Sequence, residues 1–357
     1  YWPLDVSGIK GDDATTLAFT SGGEPVGSLR VSVDGDRLEG TGTLYGTAVH
    51  LSGTRPRGTP GPGRLPDPTE TIGLWPNGAP GMPATPPVET VNERSKDPSF
   101  HDRAVFGTTR PRLAVFRPEK PNGAAVMITP GGGYRWVVVD KEGYELGRWL
   151  SARGFTVFVL FYRLPGEGWA AGPNVALSDA QRAMRLIRHR ARDYGVDPER
   201  IAAMGFSAGG HLCADLLTRF ATRTYDPVDA ADALSARPAA AAPIYPVISM
   251  TAPAAHAGSR ELLIGKNASP ELERAHSPHL NVPADAPPTF LVHAEDDGVV
   301  PVENALLLRA ALRAKGIAVE THLFALGGHG FGLRLAQGKP AAAWPELFIG
   351  WAKGLLV

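Results

Sequence analysis

Cysteine is nearly absent: Cys213 stands alone in 357 residues. No internal disulfide can form, and one thiol gives no basis for a cysteine metal site. On a helix-forming stretch it reads as a small core residue. Neither sign of charge is in excess, with 36 Lys and Arg against 36 Asp and Glu. No overall field therefore steers the chain to nucleic acid or to an anionic membrane. No apolar run approaches the ~20 residues of a membrane span, and no membrane partner is expected. The start, Tyr1-Trp2-Pro3-Leu4-Asp5, lacks an initiator methionine as well as the basic and apolar regions of a signal peptide. We expect the mature chain of a secreted or periplasmic protein, a cytoplasmic site staying open. Internal repeats are absent too, and Asn267-Ala268-Ser269 fits the glycosylation acceptor pattern only as a three-residue match.

Glycine and proline are abundant, at 42 and 33 residues, and they fall unevenly. Residues 1–54 carry alternating segments, Leu29 to Val33, Leu38 to Leu44 and Ala48 to Leu51, parted by Asp34-Gly35-Asp36 and Tyr45-Gly46-Thr47. That pattern predicts a small antiparallel β module, without the residue types of catalysis. It suits a packing or oligomerisation role, or a carbohydrate-contacting one. Residues 55–87, with Thr59-Pro60-Gly61-Pro62-Gly63 and Pro83-Ala84-Thr85-Pro86-Pro87, read as a semi-rigid extended linker. Trp75 within it is expected to dock on the domain that follows.

Residues 88–357 alternate strand and helix patterns, which predicts an α/β domain with a mostly parallel sheet and helices on both faces. Expected strands are 113–116, 124–129, 155–161, 201–204, 243–248, 289–293 and 318–324. Expected helices are 142–153, 176–193, 302–315 and 345–356. Arg182, Arg185 and Arg188 read as a solvated helix face, and 251–288 as an irregular lid or pocket wall.

Between the apolar run Ile201 to Met204 and a helical stretch lies Gly205-Phe206-Ser207-Ala208-Gly209, the G-x-S-x-G spacing of a nucleophile elbow. A chance Gly-Ser-Gly turn is the plain alternative. Serine is a weak nucleophile and needs a base, which in turn needs an orienting acid. In α/β-hydrolases these come in the order Ser, acid, His, from loops after successive strands. Asp296-Asp297 follows strand 289–293, and Gly327-Gly328-His329 follows strand 318–324. Two residues separate Asp297 from Val300-Pro301, so Asp297 is taken as the acid. Asp296 then faces solvent or braces the loop. His329 is taken as the base, His322 lying within its strand and His211 packing or capping on the elbow helix. An oxyanion hole needs the amide of Ala208 and a second donor from Pro130-Gly131-Gly132-Gly133-Tyr134. Gly132 and Gly133 are both candidates. Tyr134 and Trp136 then border the substrate pocket or anchor the loop. This chemistry calls for no metal and no cofactor.

The same residues, with Leu74-Trp75-Pro76, Tyr162-Arg163-Leu164-Pro165, Asp179-Ala180-Gln181-Arg182-Ala183, Gly205 to His211 and His293 to Pro301, resemble bacterial acetylxylan esterase-like and feruloyl-esterase-like α/β-hydrolases. The resemblance covers roughly residues 72–357 and implies the α/β-hydrolase fold. It also implies removal of acetyl or feruloyl esters from plant polysaccharides, often outside the cytoplasm. The expected partner is thus a small ester or an acetylated oligo- or polysaccharide. A broader aryl or short-chain carboxylesterase is the alternative within the class, and an inactive polysaccharide-binding scaffold the alternative outside it. Oligomeric state is not legible.

Overall fold

The computed structural model describes residues 4–10, 15–21, 24–34, 37–54 and 65–357. The start Tyr1-Trp2-Pro3, the turn centre Gly35-Asp36 and the run Thr59 to Gly63 lie outside the described residues. The chain divides into two compact units, Tyr1–Gly63 and Arg64–Val357.

The first unit is an antiparallel meander of five strands in sequence order: β1 (Leu4–Lys10), β2 (Thr15–Ser21), β3 (Glu24–Asp34), β4 (Arg37–Leu44) and β5 (Thr47–Thr54). Leu29 and Val31 are buried, as their alternation implies. Tyr45 and Gly46 both have positive φ, 49° and 75°, the mirror-type turn whose twist suits a two-residue hairpin. The structure adds β1 and β2, whose alternation is broken by Gly8 and by runs of threonine.

The second unit holds β6 (Thr71–Gly73), β7 (Thr90–Glu93), β8 (Arg103–Phe106), β9 (Arg112–Phe116), β10 (Ala125–Thr129), β11 (Val137–Val138), α1 (Glu145–Ser151) and β12 (Thr156–Phe161). It continues with α2 (Val175–His189), β13 (Ile201–Phe206), α3 (Ser207–Arg219), β14 (Ala240–Ile244), α4 (Ala257–Ile264), α5 (Pro270–Ala275), β15 (Thr289–Ala294), α6 (Glu303–Ala314), β16 (Val319–Phe324) and α7 (Trp344–Lys353). Eight strands form one sheet in the order β16-β15-β14-β13-β10-β12-β9-β6. The pairings from β16 to β12 are parallel, and β9 and β6 are added antiparallel. β10, β12, β13, β14 and β15 are buried at every residue. Their apolar runs are what a sheet covered on both faces requires. This is the α/β-hydrolase fold.

Several local expectations are corrected. β14 occupies 240–244 instead of 243–248; its three alanines give little apolar bulk to mark a strand, while buried Tyr245 to Met250 leave the sheet as irregular chain. The stretch 251–288 contains α4 and α5. Proline and glycine predict only extended chain over 55–87, yet Thr71–Gly73 is paired with β9 at the sheet edge. Arg182 is not solvated: it is buried, donating to Leu74 O at 3.0 Å and pairing with Asp229 and Asp232. Arg185 bonds Tyr225 Oη and Leu234 O, and Arg188 bonds the carbonyls of Pro198, Ser235 and Arg237.

Trp75 docks as expected, donating Nε1–H to Asp179 Oδ1 at 2.8 Å. Asp179 also accepts from the Arg163 guanidinium at 2.8 Å, both side chains wholly buried, and from the Arg163 amide at 2.9 Å. Arg163 Nη1 reaches Pro80 O at 2.7 Å. Leu74-Trp75-Pro76, Arg163 and Asp179 thus meet in one saturated polar cluster. Removing one partner would strand a buried charge, at a cost of about 3–5 kcal/mol. Asp179→Ala should therefore lower unfolding free energy by that amount in urea titrations, and a change below ~1 kcal/mol would refute this account of the cluster.

Candidate active site

β13 ends at Phe206 in extended backbone, φ −123° and ψ 130°. Ser207 then turns sharply, at φ 54°, and opens α3. A non-glycine residue held there carries ~1–3 kcal/mol of strain. The flanking glycines make the turn possible. A Cβ on Gly205 would lie 2.2 Å from Gly209 O, and one on Gly209 would lie 2.1 Å from Thr129 O. Helix, strand and the end of β10 therefore press together backbone to backbone. Thr129 Oγ1 locks the contact, donating toward Gly209 O at 2.8 Å and Met204 O at 3.2 Å.

The three residues singled out by motif and order are in line. His329 Nε2 is 2.8 Å from Ser207 Oγ, and His329 Nδ1 is 2.7 Å from Asp297 Oδ2. Asp297 can only accept when ionised, so Nδ1 carries the proton and Nε2 is left as the acceptor for the serine hydroxyl. Asp297 Oδ1 accepts the amides of Val299 and Val300, both at 2.9 Å. A second imidazole, His293, brings its Nε2 to 3.2 Å from Asp297 Oδ2 and 3.0 Å from Val300 O. Burial alone would raise the Asp297 pKa, but the hydrogen bonds from His293 and His329 outweigh it and hold the carboxyl well below the usual carboxylate range. Asp296 is exposed and braces the histidine loop, accepting from Gly327 N and Gly328 N at 2.8 and 2.7 Å.

Of the glycines before Tyr134, Gly131 is already engaged, its amide donating to Glu142 Oε2 at 2.9 Å. The amides of Gly132, Gly133 and Ala208 have no acceptor among the described residues. Gly132 and Gly133 have positive φ, 132° and 67°. A Cβ on Gly132 would fall 2.5 Å from Trp136 Cδ1, so Trp136 sits hard against this loop. Trp136 lines the cavity, as expected; Tyr134 does not. With φ 58° Tyr134 turns inward, is 2% exposed and hydrogen-bonds His211 Nδ1 at 2.7 Å. His211 in turn donates Nε2–H to His276 O at 2.8 Å, which places it in packing, behind the serine.

Four neighbours were not legible in the sequence. Glu142, expected at the start of a regular helix, lies in a π-helical turn, Asp140–Tyr144, a geometry frequent at functional sites. Its Oε1 accepts Tyr245 Oη–H at 3.0 Å, and Tyr245 Oη accepts Gly332 N–H at 3.1 Å. The Tyr245 ring packs edge-on to His329, centroids 5.3 Å apart. His256 accepts Ser259 N–H at Nδ1, 3.2 Å away, which leaves Nε2–H as a donor without a partner among the described residues; burial, and His329 nearby, lower its pKa. His293 is the fourth. The cavity over Ser207 has a volume of about 430 Å³ and is lined by Gly132, Trp136, His256, Leu262, Val299 and His329 among others. Among the described residues no cluster of three or more His, Cys, Asp or Glu stands where a metal could be held.

Tyr245→Phe would remove the partner of Glu142 Oε1 and of Gly332 N in the interior, Glu142 Oε2 keeping the Gly131 amide. We expect a loss of about 1–3 kcal/mol of stability and a fall in kcat of up to about 10²-fold as His329 shifts. Thermal unfolding and initial rates would check both, and wild-type values in each would refute the bracing role.

The BD-FAE family profile matches residues 113–312. The endo-1,4-beta-xylanase B of Butyrivibrio fibrisolvens is 32% identical over 275 residues, 77% of this chain and 41% of that protein. The acetylxylan esterase of Xylanibacter ruminicola is 32% identical over 225 residues, 62% of this chain and 44% of that protein. This chain thus spans less than half the length of either relative. Among solved structures, the acetyl ester-xyloside bifunctional hydrolase of Caldicellulosiruptor lactoaceticus superposes with a TM-score of 0.66 at 34% identity, covering 81% of this chain and 97% of that one.

Proposed function

This chain belongs to the BD-FAE family, and from that premise we propose that it is a serine carboxylic ester hydrolase acting on acetyl esters of plant-type carbohydrates outside the cytoplasm. The observation that carries the reading is the 2.8 Å hydrogen bond from Ser207 Oγ to His329 Nε2, with a buried carboxylate on the other ring nitrogen. In this reading Ser207 Oγ attacks the ester carbonyl while His329 Nε2 takes its proton. Asp297 stabilises the imidazolium and keeps its orientation. The carbonyl oxygen becomes an oxyanion facing the free amides of Ala208, Gly132 and Gly133, whose preorganised donors are each worth roughly 3–4 kcal/mol of barrier. The tetrahedral species collapses, and His329 gives the proton to the departing sugar oxygen, which leaves as the free hydroxyl. Water, deprotonated by His329, then cleaves the acetyl-enzyme to acetate and free Ser207.

The acetyl group and sugar are suggested by the relative named for acetylxylan. A glycosidase reading of the same cavity is disfavoured, since that chemistry needs a pair of carboxylates. Glu142 is the one acid among the lining residues, and it is held by Gly131 and Tyr245.

Ser207→Ala should abolish turnover of acetylated xylan and of small acetyl esters, and should abolish labelling by a fluorophosphonate, with the fold unchanged by circular dichroism. Residual kcat above about a thousandth of wild type would rule out Ser207 as nucleophile, given the ~10⁶-fold losses such residues show. The two neighbouring aspartates separate cleanly. Asp297→Asn should cost on the order of 10⁴ in kcat by favouring the wrong imidazole tautomer, and Asp296→Asn, which keeps an acceptor for Gly327 and Gly328, far less. The opposite ranking would reassign the acid.

A further inference from the structure

We infer that the mouth of the cavity binds a carboxylate carried by the ester substrate, and that Lys141 and Arg135 hold it; the inference rests on the esterase reading above. Three cations line the cavity, Arg94, Arg135 and Lys141, against a single acid, Glu142. Glu142 already accepts from Gly131 N and Tyr245 Oη. Arg94 is neutralised by Asp102 at 2.7 Å and lies over the Trp136 ring at 5.9 Å. The side chains of Lys141 and Arg135 have no hydrogen-bond or ion-pair partner among the described residues.

An unpaired lysine on an open surface means little, but Lys141 is not placed that way. It sits in the π-helical turn beside Glu142 and is only partly exposed. A Cβ on Gly332 would lie 3.2 Å from Lys141 Cγ and 2.9 Å from its carbonyl oxygen, and one on Gly330 would lie 3.1 Å from Nζ. The stem is thus packed along the histidine loop, and the ammonium rests over the residue next to His329. A partly covered cation with no ion-pair partner among the described residues, Glu142 lying near it but engaged by Gly131 and Tyr245, has lost part of its hydration with no hydrogen bond in return. Arg135 belongs to the loop of Gly132 and Gly133, next to Trp136, and its exposed guanidinium offers a planar fork that suits a carboxylate. A neutral acetylated sugar makes no use of either charge. A carboxylate does, whether as a uronic acid on the alcohol side or as the free end of a dicarboxylic half-ester on the acyl side.

Two matched substrate pairs distinguish these sources. One is an acetylated methyl xyloside against an acetylated methyl glucuronoside; the other is 4-nitrophenyl butyrate against 4-nitrophenyl hemisuccinate. The readout is the charged-to-neutral ratio of kcat/KM within each protein, so that a general loss of activity in a variant cancels. In the wild type one pair should favour its charged member by roughly tenfold at low salt, the low end of electrostatic focusing. That ratio should shrink several-fold at about 0.5 M salt and fall to about one in Lys141→Met/Arg135→Gln. A preference in the first pair puts the carboxylate on the alcohol, and one in the second puts it on the acyl group. Ratios at or below one in both pairs, or a preference that survives in the double variant, overturn the inference. Failure of every ester, charged and neutral, to react would sink the esterase reading instead. Calorimetric binding of methyl glucuronoside and succinate, each against its neutral counterpart, then decides the inference alone: tighter binding that the double variant loses supports it, and equal binding overturns it.

Discussion

The backbone of Ser207 is held where its own side chain would not put it, and much of the second unit serves that one constraint. A φ of 54° persists only if the chain on both sides is over-determined. Strand β13, buried throughout between β10 and β14, fixes the approach, and α3 fixes the departure. The contact that joins them is closer than any side chain allows, which is why both flanking positions are glycine. Because the same contact pulls in Thr129 and Pro130, the end of β10 arrives beside the serine. The glycine loop that follows β10 starts from that point.

A second constraint holds the loops to one another. The buried Glu142 carboxylate accepts from the loop after β10 through Gly131 N, and from Tyr245 at the end of β14, whose hydroxyl accepts from the histidine loop at Gly332. Three segments distant in sequence therefore share one saturated network. In a low-dielectric interior such a network rigidifies when every member is satisfied. The network thus supports His329 2.8 Å from the serine hydroxyl, the kind of preorganisation on which nucleophilic catalysis depends.

Ser207, Asp297 and His329 were legible because each is marked by something local: a spacing of small residues, or a position just past an apolar strand. Gly132 and Gly133 were legible as a pair, and only the engagement of Gly131 by Glu142 separates them from their neighbour. Glu142 and Tyr245 carry no local mark, since each matters through a partner distant in sequence; His293 and His256 bond residues close along the chain, in spacings that belong to no catalytic motif. Tyr134 and Trp136 looked equivalent in the sequence. A positive φ at Tyr134 turns its ring to the interior, and no pattern of hydrophobicity announces such a turn. Alanine marks a strand poorly, so the apolar pattern points to 243–248 and past β14, and proline and glycine around β6 hide its three paired residues. The arginines of α2 misled for a related reason: their charge suggests water, while Asp229, Asp232 and Leu74 O, which satisfy Arg182 in the interior, belong to other segments.

The buried cluster around Arg163 and the mouth of the cavity are built on different principles. Just past the carboxyl end of β12, Trp75, Arg163 and Asp179 meet with the charges paired and both charged side chains wholly buried. Such a cluster adds less to stability than an apolar core of the same volume would, yet it tolerates little rearrangement. Its effect is to pin the segment around Trp75 and the first half of α2 to the residues that follow β12. At the mouth the reverse holds. Val299 is half exposed, His256 keeps a free donor, and Lys141 and Arg135 keep free charges. Groups satisfied inside the protein cannot discriminate among substrates, since they have nothing left to offer one. The unsatisfied groups can, because a ligand lacking the matching acceptor leaves them as they were. In the proposed esterase, selection among esters would fall to α4, the π-helical turn and the loop around Trp136, whereas Ser207, Asp297 and His329 would treat any carbonyl that reaches them alike.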